Sequence, residues 1–142
     1  MKTFDELHRA IKRGDIKSIE TALDEGADVN LCNANGANLL MLAAGTGNTV
    51  VGNLLIARGA DIDARTHYRE GTFQDSPLTT AAISGKSSFV ELLLEHGALL
   101  TSPFPGTFEI YLDWLEKHSA CSPEQIANMR SLIKKERAKR AV

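Results

Sequence analysis

His118 and Cys121 stand three apart in "HSAC", the spacing at which two side chains can share one metal ion. A structural zinc site takes four donors in a tetrahedral array, and no second pair completes this one: His8, His67, His96 and Cys32 are scattered along the chain. No metal site is expected. The same scatter leaves no nucleophile beside a base, and the glycines do not form the strand-to-helix phosphate loop that a nucleotide cofactor uses. The chain therefore reads as non-enzymatic, with no cofactor. Two other stretches could carry recognition chemistry. "RTHYREGTFQDS" (65–76) gathers Arg65, His67, Tyr68, Arg69, Phe73 and Asp75, and aromatics beside arginine are enriched at the energetic centres of protein interfaces. "IKKERAKRAV" (133–142) is basic, which suggests as an alternative function a nucleic-acid-associated regulator working through its C-terminal helix. Positive residues at a helix C-terminus also complement the helix dipole, so the solvated reading of that end comes first.

These residues sit in a chain of 142 residues, 43% hydrophobic, a length and composition that suit one folded domain. A net charge of -2 and a pI near 6.1 exert no whole-chain pull toward nucleic acid or anionic membrane. The N-terminus, "MKTFDELHRAIKRGD", is charged from its second residue and so lacks the apolar core of a secretory signal, and no stretch approaches the roughly 20 apolar residues of a membrane span. Cys32 and Cys121 form no disulfide framework. The expectation is a cytoplasmic protein that does not engage membranes and is monomeric on its own.

What must position the recognition residues is a repeat. Gly26 and Gly59 are 33 residues apart, Gly59 and Gly97 are 38 apart, and both steps recur in Leu7, Leu40, Leu78; in Ala10, Ala43, Ala81; and in Gly14, Gly47, Gly85. A period of that size signals stacked supersecondary units. Each unit reads as two short antiparallel helices. The first carries small Ala residues ("LMLAAGTG", "LTTAAISG") and the second a leucine-rich stripe ("VGNLLIARG", "VELLLEHG"), and each is closed by a Gly. Thr3 with Glu6, Asn38, and Ser76-Pro77 mark the helix starts. "EGADVN" and "RGADID" then lead from the second helix into a hairpin in which Asp and Asn bond nearby backbone N–H groups. Leu54, Leu55, Leu92 and Leu93 are expected between units, each stabilising by about 1.5–3 kcal/mol when buried.

The residues resemble the ankyrin repeat family, whose units read roughly Asn-Gly, Thr-Pro-Leu-His, Ala-Ala, Gly, Leu-Leu, Gly-Ala-Asp-Val-Asn. The best copy, 34–66, matches at Asn35, Gly36, Leu40, Ala43, Ala44, Gly47, Leu54, Leu55, Gly59, Ala60 and Asp61, and has Asn38, Leu39 and Met41 where the family favours Thr, Pro and His. The resemblance implies an all-α solenoid of stacked helix-turn-helix units with short β-hairpin loops. It divides the single domain 1–142 into an N-terminal capping repeat (3–33), a full repeat (34–66), a repeat with a lengthened hairpin (67–98) and a degenerate last repeat or atypical helical cap (99–142). It further implies a non-enzymatic module that binds one protein partner through its concave face and hairpin loops, as an adaptor or as an inhibitor or immunity-type protein. It places His8 at the family's usual His position, where the ring bonds turn backbone.

Transferred by register, the family's variable contact positions are Lys12 and Arg13; Asn35, Ala37, Gly45 and Thr46; and Asp75, Ile83 and Ser84. The five-residue lengthening between Arg65 and Ser76 resembles an enlarged contact finger bearing Arg65, Tyr68, Arg69 and Phe73, with the alternative that Tyr68 or Phe73 folds back over the stack. After Ala98 the chain follows neither the period nor the motif. Pro103 and Pro105 interrupt it, a helix is expected from Thr107 to about Lys117 with Phe108, Tyr111, Leu112 and Leu115 inward, and Ser122-Pro123 opens another carrying Ile126, Met129 and Ile133. Trp114 fits either core or surface.

Overall fold

Every turn of the architecture begins with a capped helix. In the computed structural model, which describes residues 3–67 and 73–141, Thr3, Asn38, Ser76, Thr107 and Ser122 each accept a hydrogen bond through the side chain from the backbone N–H three residues on. Ser76 and Ser122 are followed by a proline at the first helical position, and each completes a reciprocal box, with Thr79 and Gln125. The helices that follow are paired: α1 (Phe4–Arg13) with α2 (Ile16–Asp24), α3 (Leu39–Thr46) with α4 (Thr49–Ala57), α5 (Pro77–Ile83) with α6 (Ser87–Glu95), and α7 (Phe108–Lys117) with α8 (Pro123–Arg140).

The first helices lie side by side, α1 on α3 and α3 on α5, because their inward residues are small or compact: Leu7, Ala10 and Ile11, then Leu40, Ala43 and Ala44, then Leu78, Ala81 and Ala82, all buried. The second helices pack behind them. α4 meets α6 through Gly52, where a Cβ would fall 2.7 Å from the Phe89 ring. Leu55, Leu92 and Leu93 are buried as expected, while Leu54 is partly buried against the core.

The Gly-Ala-Asp turns are stitched from one unit to the next by side chains. Asn30 accepts from Asp61 N–H at 2.7 Å and donates to the Gly59 carbonyl at 3.3 Å. One unit later Asp63, the residue equivalent to Asn30, accepts from Leu99 N–H at 2.8 Å. Within the turns, Asp28 and Asp61 accept from the N–H two residues on. Among the described residues the hairpins contain one isolated β-bridge, Cys32 with Asn38, and no strand.

The C-terminal segment continues the stack. Phe108, Tyr111, Leu112 and Leu115 of α7 are buried, as are Ile126, Met129 and Ile133 of α8, which packs on both α6 and α7. The Tyr111 hydroxyl donates to the Thr79 carbonyl at 3.4 Å, and Cys121 Sγ donates to the Ala82 carbonyl at 3.2 Å, so α7 and the turn after it lie against α5. Contrary to expectation, the period does persist here. Leu112, Leu115 and Ser119 each follow Leu78, Ala81 and Gly85 by 34 residues. Ser119, at φ 53°, is the one non-glycine residue at positive φ among the described residues, and it holds the left-handed position that Gly85 (φ 68°) holds after α5. The motif is lost at this unit but the register is kept.

Candidate functional site

The positions just before those left-handed residues form a row. Each first helix ends in two solvent-facing residues: Lys12 and Arg13 on α1, Gly45 and Thr46 on α3, Ile83 and Ser84 at the end of α5, Lys117 and His118 at the end of α7. All but the partly buried Ser84 are exposed, Ile83 at 43%. Their exposure follows from the pattern that buries Leu7, Leu40, Leu78 and Leu112 one turn or more earlier, since the opposite face of each helix is committed to the core. Gly45 has only Thr80 Cγ2, 4.0 Å from where its Cβ would stand, so the middle of the row is shallow.

The charge on this row is unbalanced. Lys12, Arg13 and Lys117 make no ion pair among the described residues, and α3 and α5 contain no charged residue. α7 carries three acids, and each is paired from α8, two guanidiniums serving three carboxylates: Arg130 reaches both Asp113 at 2.7 Å and Glu116 at 2.8 Å, and Arg137 pairs with Glu109 through two hydrogen bonds. These bonds hold the Glu109 carboxyl below its usual range, first through the hydrogen bond from Arg137, and raise both guanidiniums.

At the hairpin edge, Asn35 is exposed at the tip of the second unit, its carbonyl accepting from His67 N–H at 2.8 Å. Arg65 is exposed, yet its guanidinium donates to the Ser102 carbonyl at 3.0 Å, tying the lengthened hairpin to the segment before α7. Asp75 is partly buried, accepts from Thr79 Oγ1 at 3.4 Å and exchanges bonds with Thr66. Burial pushes its carboxyl up, against the smaller opposing pulls of Thr79 and Arg65. Phe73 does two things at once: its ring packs on Phe104 (5.4 Å between centroids) and edge-on to Trp114 (5.6 Å), and 46% of the residue stays exposed. Trp114 is partly buried, stacked on His118 at 4.2 Å and within 6.3 Å of Tyr111. Tyr68 and Arg69 lie outside the described residues.

Thus Lys12, Arg13, Thr46 and Ile83 share one surface with Lys117 and His118, whereas Phe73 is partly spent on packing against Trp114 of α7, Arg65 on the Ser102 carbonyl before α7, and Asp75 on Thr66 and on Thr79 of α5. The sequence did not place Lys117 on this surface, weighed His118 only as a metal ligand and left Trp114 between core and surface, and the 34-residue step to Leu112 and Ser119 is the signal that would have placed them. The "HSAC" pair diverges: His118 faces solvent with Nδ1 2.9 Å from the Trp114 carbonyl, and Cys121 is buried against α5. Among the described residues no three His, Cys, Asp or Glu side chains converge on a metal position, and no helix is long and apolar enough to cross a membrane.

The family model for ankyrin repeats, three copies, matches residues 7–103. Over 103 residues the chain is 35% identical to the Mus musculus "Ankyrin repeat and SAM domain-containing protein 6", an overlap of 68% of this chain and 11% of that protein. It is 39% identical over 80 residues to the Drosophila melanogaster "Ankyrin repeat and KH domain-containing protein mask" (56% and 2%), and 34% identical over 96 residues to the Danio rerio "Ankyrin repeat and SOCS box protein 11" (68% and 31%). The chain spans less than a third of the length of each of these relatives.

Proposed function

The chain belongs to the ankyrin repeat family, whose members are in general protein-interaction modules, and from that premise we propose that it binds a protein partner through the row of first-helix ends together with the hairpin edge. The observation that carries this reading is the alignment of exposed residues from the first helices of four successive units on one packed scaffold, among which Lys12, Arg13 and Lys117 make no ion pair among the described residues. Such a surface is ordered before the partner arrives, which limits the entropy lost on association. Units 3–33, 34–66 and 67–98 supply three of those helices. Residues 99–142 act as a degenerate fourth unit, a reading supported by the register of Leu112, Leu115 and Ser119. The role is that of an adaptor or an inhibitor in the cytoplasm, exerted by a monomer without catalysis.

Affinity capture with the wild-type chain beside an Ile83→Arg, Phe73→Ala control is the direct test. A stoichiometric protein retained by the first and lost by the second is the expected result. Equal retention by both would move the site off this surface. A second reading, nucleic-acid association through α8, draws on Lys134, Lys135 and Lys139, exposed and without ion pairs among the described residues. The arginines of the same helix are engaged with Glu109, Asp113, Glu116, Glu136 and the Ala98 carbonyl, which leaves that face few free forks for phosphate. If it held, binding would weaken steeply with salt and vanish on removal of residues 134–142.

A further inference from the structure

We infer that the partner segment seated on this row is an extended acidic peptide with a bulky apolar residue in its interior, gripped by Lys12 and Arg13 at one end, Ile83 inside and Lys117 at the other end. The inference rests on the protein-binding reading above and specifies its partner. Three observations carry it. The cations stand at the two ends of the row and make no ion pair among the described residues, while the acids that would otherwise offset Lys117 are turned to α8 and held by Arg130 and Arg137. α3 and α5 contribute only the uncharged Gly45, Thr46, Ile83 and Ser84 to the interior of the row, and the nearest cation there is Lys86, whose stem packs over Gly47 beyond Thr46. Ile83 is the row's exposed large hydrophobic, and Gly45 beside it leaves room for a backbone to approach closely.

The geometry sets the spacing. Packed helices stand about 8–10 Å apart; α1 packs on α3 and α3 on α5, and α7 is joined to α5 through the Tyr111 hydroxyl and Cys121, so a like third step puts the row from α1 to α7 at roughly 25–30 Å. An extended chain advances about 3.3 Å per residue, so eight or nine residues, as a rough figure, span it. The apolar anchor over Ile83 then falls about six residues from the acidic group that meets Lys12 and Arg13, and about three from the one that meets Lys117. Exposed charge pairs of this kind set specificity and association rate, and the desolvated apolar contact slows dissociation. Trp114, stacked on His118 and the chain's single tryptophan, stands at one end of the row as a reporter.

The experiment is a selection of displayed random 12-residue peptides on the immobilised full chain, followed by titration of the enriched peptides against Trp114 fluorescence. The expected outcome is enrichment of Asp or Glu toward both ends with Leu, Ile, Phe or Trp between. Affinity should fall at least about tenfold in Lys12→Glu/Arg13→Glu, in Lys117→Glu and in Ile83→Arg, and should weaken as salt is raised. These positions are exposed, and an unchanged circular dichroism melt verifies the fold of each variant. Peptides that Ile83→Arg displaces, but that lack acidic enrichment and ignore the charge reversals, would overturn the acidic partner and leave protein binding at this surface standing. Binders indifferent to Ile83→Arg, or no binders at all, would overturn both.

Discussion

Ser119 occupies a left-handed backbone position that Gly14, Gly47 and Gly85 fill after the other first helices. A Cβ there crowds the following carbonyl, at a cost of about 1–2 kcal/mol, part of which glycine returns through its freedom in the unfolded chain. Ser119→Gly should therefore stabilise the protein by about 0.5–1 kcal/mol, read as a higher urea midpoint. Two glycines make the complementary point. At Gly59, φ is 90° and no atom lies within 4 Å of a prospective Cβ, so Gly59→Val should lose about 1–3 kcal/mol from the backbone alone. At Gly52 the backbone is helical and the obstacle is space: Gly52→Ala drives a methyl into Phe89 and Leu92, and overpacking of about 1–3 kcal/mol outweighs the roughly 1 kcal/mol that alanine brings to a helix. A thermal melt of each variant separates the two causes when repeated with Gly59→Asn, which tolerates positive φ and should recover most of the loss.

Asp75 gives the pH dependence its sign. Its folded pKa lies above the unfolded value because burial disfavours the charge. The folded state thus binds the proton more tightly, and the wild type loses stability as pH rises from the unfolded pKa, about 3.9, through the raised folded one. Asp75→Asn keeps an acceptor for Thr79 and removes the charge. Its melting temperature should exceed that of the wild type at pH 7, and the gap should close as the pH is lowered toward 3.

Among elements, α7 is held by three neighbours rather than by a repeat motif. Tyr111 and Cys121 bond α5 carbonyls, Arg130 and Arg137 fasten α7 to α8, and Arg65 fastens the lengthened hairpin to Ser102. Arg65→Ala leaves that carbonyl without its charged donor and should cost about 1–2 kcal/mol. The loss should appear as faster amide exchange in residues 99–107 before any change in α1 to α4, because contacts in a solenoid are between neighbouring units. This structural work also explains why Arg65 could not be assigned from composition. A guanidinium beside aromatics in a loop looks the same whether it waits for a partner or reaches an internal carbonyl 37 residues away.

For the whole molecule, the last unit is a lid on the apolar face of α5 and α6. Truncation after Ala98 strips α7 and α8 from α5 and α6, with the Tyr111 and Cys121 bonds to α5, and should yield an insoluble or unfolded chain by sedimentation and circular dichroism, whereas truncation after Ile133 removes mainly exposed residues and should leave a cooperative melt. The repeated Leu7, Ala10, Gly14 register was legible in the sequence by itself, since every stacked unit must bury the same face and end its helix in the same way. The caps Asn38, Ser76 and Ser122 were legible for a similar reason, each acting on backbone three residues away. The lengthened hairpin and the tail were not. Whether Phe73 anchors a partner or covers Trp114, whether Arg65 is free, and whether Lys117 and His118 join the row of Lys12, Thr46 and Ile83 all depend on contacts between segments far apart in the chain. Sequence determined the local elements and the period because those are set by short-range backbone bonding and one repeated apolar face. Tertiary structure alone decided which cations are paired and which make no ion pair among the described residues, because the partners of Glu109, Asp113 and Glu116 come from a helix far along the chain, brought beside α7 by packing rather than by local backbone bonding.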